Sequence, residues 1–149
     1  MAPGGDPPSS VLFVCSQNAV RSPIAEGLMR RLFPRIYAMS AGVHEGTLDG
    51  FAVAAVEEFG GDIAHHRPQS LDELYDTSFD VIVTLTPEAH HKVLDMTHGM
   101  AVEVEYWPTE DPTVVDGNRD ARLNAYRRVR DRLMHRIKQR FGWTPGVNE

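Results

Sequence analysis

The chain has 149 residues, enough for one domain with a single core, and 42% of them are hydrophobic against 24% charged. A formal charge of −6 argues against bulk attraction to nucleic acid or anionic lipid, and no window approaches the roughly 20 apolar residues that a membrane helix needs. The single cysteine can form neither an internal disulfide nor a cysteine-based zinc site, and it suits a reducing compartment.

In chain order, MAPGGDPPSS lacks the charged start and apolar run of a signal peptide, so residues 1–9 are expected to be a disordered leader and the location cytoplasmic. VLFV (Val11 to Val14) predicts a buried strand. Ser22 followed by Pro23 has the pattern of an N-cap with proline at the first helical position, and Pro34 closes that helix. Ile24, Leu28 and Leu32 mark its inner face. IYAMSAG (Ile36 to Gly42) is the second strand, ending in a tight glycine turn. Asp49 can cap a helix with inner face Ala52, Ala55, Val56 and Phe59, stopped by Gly60-Gly61. Ser70 and Glu73 suggest a capping box for a short helix near Leu71 to Tyr75. FDVIVTL (Phe79 to Leu85) is the third strand, and Thr86-Pro87 opens a helix to about Met96. AVEVEYW (Ala101 to Trp107) alternates apolar and acidic residues, the pattern of a sheet edge.

The last helix, about Arg119 to Phe141, carries an apolar stripe of Leu123, Tyr126, Val129, Leu133, Ile137 and Phe141. Nine of the chain's basic residues lie on it, from Arg119 to Arg140. A solvated face paired with nearby acids is the expectation, with a docking surface for an acidic partner as the alternative. Strand and helix alternate throughout, which predicts a doubly wound four-stranded parallel α/β sheet with helices on both faces, in one domain over residues 10–144 with a tail at 145–149. Loops following different parallel strands can share one site at the carboxyl edge.

The loop from Cys15 to Arg21 leaves the first strand and enters a helix. Its backbone N–H groups and the free N–H groups of the helix start can converge on an anion, and Arg21 adds a planar cation. That field favours a thiolate over a thiol at Cys15. Asn18 suits a left-handed turn within the loop. No acidic or cysteine partner stands at ligand spacing from His90-His91, so no metal is expected.

Strand, Cys-x5-Arg-Ser-Pro and helix in that order resemble the phosphate-binding loop of the low-molecular-weight protein tyrosine phosphatases. The likeness continues through SAG (Ser40 to Gly42), IAHHRPQSL, FDVIVTL and the Asp111-Pro112 pair, covering most of Val11 to Phe141. It implies a flavodoxin-like sheet of order 2-1-3-4. It also implies a cysteine-dependent phosphatase without cofactor that acts on a phosphorylated protein or small phosphomonoester, with inorganic phosphate as product and inhibitor. By resemblance Cys15 attacks phosphorus, Arg21 grips its oxygens and Asp111 is the general acid, with Glu110 a rival. Ser16, Gln17, Asn18, Ala19, Val20 and Ser22 form the phosphate loop, supported by Ser40, His66 and Pro112. His65 is the neighbouring alternative to His66.

The chain also departs from the pattern. Val20 replaces a second cysteine, Gln17 a glycine, Ala19 a bulkier aliphatic residue, and Thr86 a supporting aspartate. Thr113 follows Asp-Pro at a wall position where an aromatic residue is usual, so the expected pocket wall is Thr113 with His44 or Trp107 as replacement aromatic walls. Phosphotyrosine is the first expectation, with phosphoarginine, phosphoserine and small esters open. An arsenate reductase borrowing an external small-molecule thiol is the alternative enzyme, and a non-catalytic phosphate or phosphopeptide binder the alternative outside enzymes.

Overall fold

The computed structural model describes residues 7–74 and 78–145. Among them strand and helix alternate as β1 (Ser10–Cys15), α1 (Arg21–Leu32), β2 (Tyr37–Gly42), α2 (Gly50–Glu58), β3 (Val81–Thr84), α3 (Pro87–Met96), β4 (Glu103–Tyr106) and α4 (Arg119–Phe141). The strands form one parallel sheet in the order β2-β1-β3-β4, the doubly wound arrangement that the alternation predicts in the flavodoxin-like order that the resemblance implies.

Period-two alternation sorts the core of β1. Val11, Phe13 and Cys15 face the layer built by α1, α2 and α4, while Leu12 and Val14 face α3. A strand covered on both sides has no polar face, which is why VLFV is an unbroken apolar run. β4 sits at the edge, and its Glu103 and Glu105 take Arg140 of α4.

Helix packing follows the spacing. Ile24, Leu28 and Leu32 recur every four residues and are buried, each burial stabilising by about 1.5–3 kcal/mol. Asp49 caps α2 by accepting from the Phe51 amide, and Thr86 caps α3 by accepting from that of Ala89. Ala52, Ala55 and Val56 are buried, with Phe59 half-buried. α4 runs the expected length, buries Leu123, Tyr126, Val129, Leu133 and Ile137, and ends at Gly142 with φ 73°. Four of its cations take carboxylates on neighbouring elements: Arg127 and Arg130 bind Glu58, Arg132 binds Glu110 and Arg140 binds the β4 acids.

Three local expectations differ. α1 starts at Arg21 with Val20 in the N-cap position, so Ser22 is not a cap and its hydroxyl is free for the loop. Leu71–Glu73 is a single 3₁₀ turn with no side-chain cap from Ser70, and Tyr75, the expected helix end, lies outside the described residues. Ser9, assigned to the leader, already joins the sheet: its carbonyl accepts from Tyr37 and its amide donates to Asp80.

Register pairs Cys15 with Gly42, Val14 with Thr84, and Thr84 with Tyr106. The carboxyl ends therefore share one edge, where all four helices begin.

Candidate active site

Five carbonyls shape the turn between β1 and α1. Those of Cys15, Ser16, Gln17 and Ala19 accept from the amides of Val43, His44, Gly46 and Asp49, at 3.0, 2.8, 2.7 and 3.1 Å, and that of Val20 from Ile24 at 3.0 Å. A trans peptide directs its N–H opposite to its carbonyl, so these bonds turn the following amides toward the enclosed side. Amides converging in this way make an anion cradle. The segment after β2 therefore clasps the loop, and Gly42 permits it. A Cβ there would stand 2.4 Å from the His44 oxygen, 2.7 Å from the Asn18 nitrogen and 2.8 Å from the Gln17 carbonyl carbon. The glycine is required by close approach, not by a positive φ.

Cys15 ends β1, is 2% exposed, and places Sγ 2.9 Å from Ser22 Oγ. Ser22 Oγ also accepts from Asn18 Nδ2 at 2.8 Å and stands 3.3 Å from the Ala41 carbonyl. Its one hydrogen can go to Ala41 or to sulfur. A thiol would donate to the hydroxyl, whereas an anionic sulfur would take the Ser22 hydrogen.

Asn18 adopts the left-handed conformation, with φ 55°, and is fully buried. Its Nδ2 donates to Ser22 and Ser40, and its Oδ1 accepts from the Gln69 amide at 2.9 Å, which fixes the amide's orientation. Because Oδ1 can only accept, the His66 Nε2 lying 2.9 Å away must carry a hydrogen. Burial lowers the pKa of His66, with Arg30 acting the same way and Glu26 opposing. His66 Nδ1 then faces Glu26 Oε2 at 3.8 Å, and Glu26 Oε1 accepts from Ser40 at 2.9 Å. Ser40 and His66 both meet Asn18, and exposed His65 does not enter this ring of contacts. Glu26 and Gln69 belong to it but were not singled out in the sequence. A lone acid among the apolar residues of IAEGL was the available signal for Glu26.

On the far side, Arg21 donates from Nη1 to the Thr109 carbonyl at 3.0 Å, joining the first loop to the one after β4. That second loop holds Asp111. Its Oδ1 accepts from the amide and hydroxyl of Thr113, at 2.9 and 2.7 Å, leaving Oδ2 for a further partner. Burial pushes its pKa up, but the Thr113 bonds and the Arg21 charge prevail and hold the carboxyl below its ordinary value. Pro112, the next residue, is buried. Glu110, the rival acid, instead pairs with Arg132 at 3.2 Å.

The remaining sites divide. Ser16 Oγ donates to Thr86 Oγ1 at 3.2 Å, so a hydroxyl supports the loop where the resemblance has an aspartate. Gln17 is exposed, and Ala19 and Val20 are buried. His44 lies at the loop's edge, 3.6 Å from Glu88. Two expected wall residues do other work. Trp107 is 3% exposed, packs on Phe13 and lies beneath Arg136, because the apolar end of β4 is needed in the core. Thr113 is tied to Asp111. Among the described residues no group of three or more His, Cys, Asp or Glu could hold a metal ion, and no helix is long and apolar enough to cross a membrane.

Comparison with known proteins finds relatives that span most of this chain. The family model described as low molecular weight phosphotyrosine protein phosphatase matches residues 10–142. An arsenate reductase of Bacillus subtilis is 30% identical over 133 residues, covering 87% of this chain and 92% of its own. The crystal structure of an arsenate reductase from Archaeoglobus fulgidus superposes with TM-score 0.69 at 29% identity, covering 89% of this chain and 98% of its own. The tyrosine phosphatase AmsI of Erwinia amylovora shares the fold at TM-score 0.74 and 22% identity, covering 93% and 94%.

Proposed function

Since the chain belongs to the low-molecular-weight phosphotyrosine protein phosphatase family, whose relatives include both phosphatases and arsenate reductases, we propose that it hydrolyses phosphomonoesters through a phosphocysteine intermediate, with phosphotyrosine in proteins as the substrate. The observation that carries this is the Cys15–Ser22 contact at 2.9 Å inside a loop whose amides face inward.

In the first step Cys15 Sγ attacks phosphorus in line. A sulfur–phosphorus bond forms as the ester bond breaks, and Asp111 passes its proton to the departing oxygen. Loop amides and the Arg21 guanidinium hold the three equatorial oxygens, where charge is greatest in the transition state. Ser22 donates to the sulfur while it is anionic. In the second step the Asp111 carboxylate takes a proton from water as the water oxygen attacks phosphorus. The sulfur–phosphorus bond breaks, the thiolate returns and inorganic phosphate leaves. Phosphate fits the same cradle and should inhibit competitively.

The second reading, arsenate reduction, is favoured by the likeness to the Bacillus subtilis enzyme. Taking arsenate to arsenite needs two electrons, which two thiols supply on forming a disulfide. This chain offers one thiol, so reduction would need an external thiol, and an internal disulfide relay is excluded. Phosphate release from aryl phosphates, with arsenate reduction assayed with and without glutathione-type thiols, separates the two. The phosphatase reading expects turnover that Cys15→Ser abolishes with phosphate binding retained, and Asp111→Asn slows by about 10²- to 10⁴-fold. Binding without any release would leave a sensor. Thiol-dependent arsenite production faster than phosphate release would establish the reductase.

A further inference from the structure

Because every helix follows a parallel strand, the first turns of α2 and α4 open at the same edge as the phosphate loop. There they bring together Phe51, Arg119 and Arg122. Asp49 is bonded to the Ala19 carbonyl of the loop at 3.1 Å and caps the turn that bears Phe51. The Phe51 ring lies 5.2 Å from that of Tyr126, whose hydroxyl returns to Asp49 at 2.6 Å. Asp111 is near enough to bear on the Tyr126 hydroxyl electrostatically. Phe51 therefore packs on a tyrosine whose hydroxyl is bonded to Asp49, the residue that clasps the loop.

Over this ring sit two cations. The guanidinium carbon of Arg122 is 4.8 Å from the ring centroid and that of Arg119 is 5.6 Å away. They are three residues apart on one helix face. Both are exposed, and neither forms an ion pair among the described residues, whereas Arg127, Arg130, Arg132 and Arg140 of the same helix each do. Stacking on an aromatic face orients a guanidinium without neutralising it. The result is a pair of exposed cations held over an aromatic ring at the sheet edge that carries the phosphate loop.

We propose that Phe51, Arg119 and Arg122 form a second anion subsite that selects phosphopeptides carrying an acidic side chain next to the phosphorylated residue. This rests on the hydrolase reading above and names its substrate class. Phe51 holds the two guanidinium groups in place, and the two arginines receive the flanking carboxylate.

The test compares matched phosphotyrosine peptides whose flanking residues are Asp and Glu or their amides Asn and Gln. The expected result is a kcat/KM higher by about twofold to fivefold for the acidic peptide, within the range for exposed charge pairs, shrinking as salt is raised. Arg119→Gln with Arg122→Gln should abolish the preference while leaving phenyl phosphate turnover unchanged, which also reports that the variant is folded. Arg122→Glu should reverse the preference toward peptides with Lys or Arg flanks, an inversion that a merely structural role would not produce. Equal rates for the two wild-type peptides, or a preference that survives the double substitution, would overturn the proposal. If no phosphate is released from any compound, the hydrolase reading falls. The affinities of Cys15→Ser for the two peptides then decide the subsite by the same criterion.

Discussion

Replacing Asn18 by alanine removes four hydrogen bonds and leaves a β-carbon at φ 55°. The hydroxyls of Ser22 and Ser40 retain other partners in Ala41 and Glu26, so their losses are small. The Gln69 amide and the His66 Nε2–H lose their acceptor, and each loss costs at least about 1 kcal/mol, the lower end for an orphaned donor. Alanine in the left-handed region adds about 1 kcal/mol. The total is about 3 kcal/mol, a large share of the roughly 5–15 kcal/mol that holds a domain folded. In urea the midpoint should fall by about 1–2 M with an unchanged slope. Asn18→Gly should recover about 1 kcal/mol, because glycine meets no penalty at that φ. Both variants should lose about a hundredfold in kcat/KM as the cradle loses its shape. An alanine variant within about 0.5 kcal/mol of the parent, with full activity, would refute the view that this ring of bonds sets the loop.

Three further outcomes follow from the same geometry. Gly42→Ala should cut phosphate affinity and activity, because its Cβ meets backbone of the loop and of His44 under 3 Å, and overpacking of this kind costs about 1–3 kcal/mol in a thermal melt. Thr113→Val removes one of the bonds that lower the Asp111 pKa, so the acid should stay protonated to higher pH. The alkaline limb of the phenyl phosphate pH–rate profile should then move upward, and an unmoved limb would exclude Asp111 as the acid. Glu58, bonded to Arg127 and Arg130, has its pKa lowered from 4.5 to about 2, so its stabilisation is present above pH 5 and lost as pH falls toward 2. The gap in Tm between wild type and Glu58→Gln should close over that interval.

Much of the scaffold was legible because local signals and tertiary needs agree. An apolar run, a proline after Thr86 and a carboxylate before Gly50 each state one demand, and the structure meets it. Ser22 shows where legibility ends. Ser-Pro at a helix start reads as a cap, yet the hydroxyl turns to Cys15 because the helix has already begun at Arg21. Trp107 was expected at the mouth, but alternation along β4 does not say which side of the sheet end an aromatic ring will take. Glu26 and Phe51 escaped notice for a related reason. One looks like an ordinary helical acid and the other like core, and only the meeting of distant segments gives them a setting.

β1 is flanked on both sides by other strands, and its residues Val11 to Cys15 are almost entirely closed to solvent. Its amides should be the slowest to exchange with deuterium, opening only when the whole domain opens. The most reactive atom is thus mounted on the part of the molecule that gives way last. Heating should yield no long-lived species that is folded elsewhere but dead at the sulfur, and catalysis and tertiary signal should vanish on one curve.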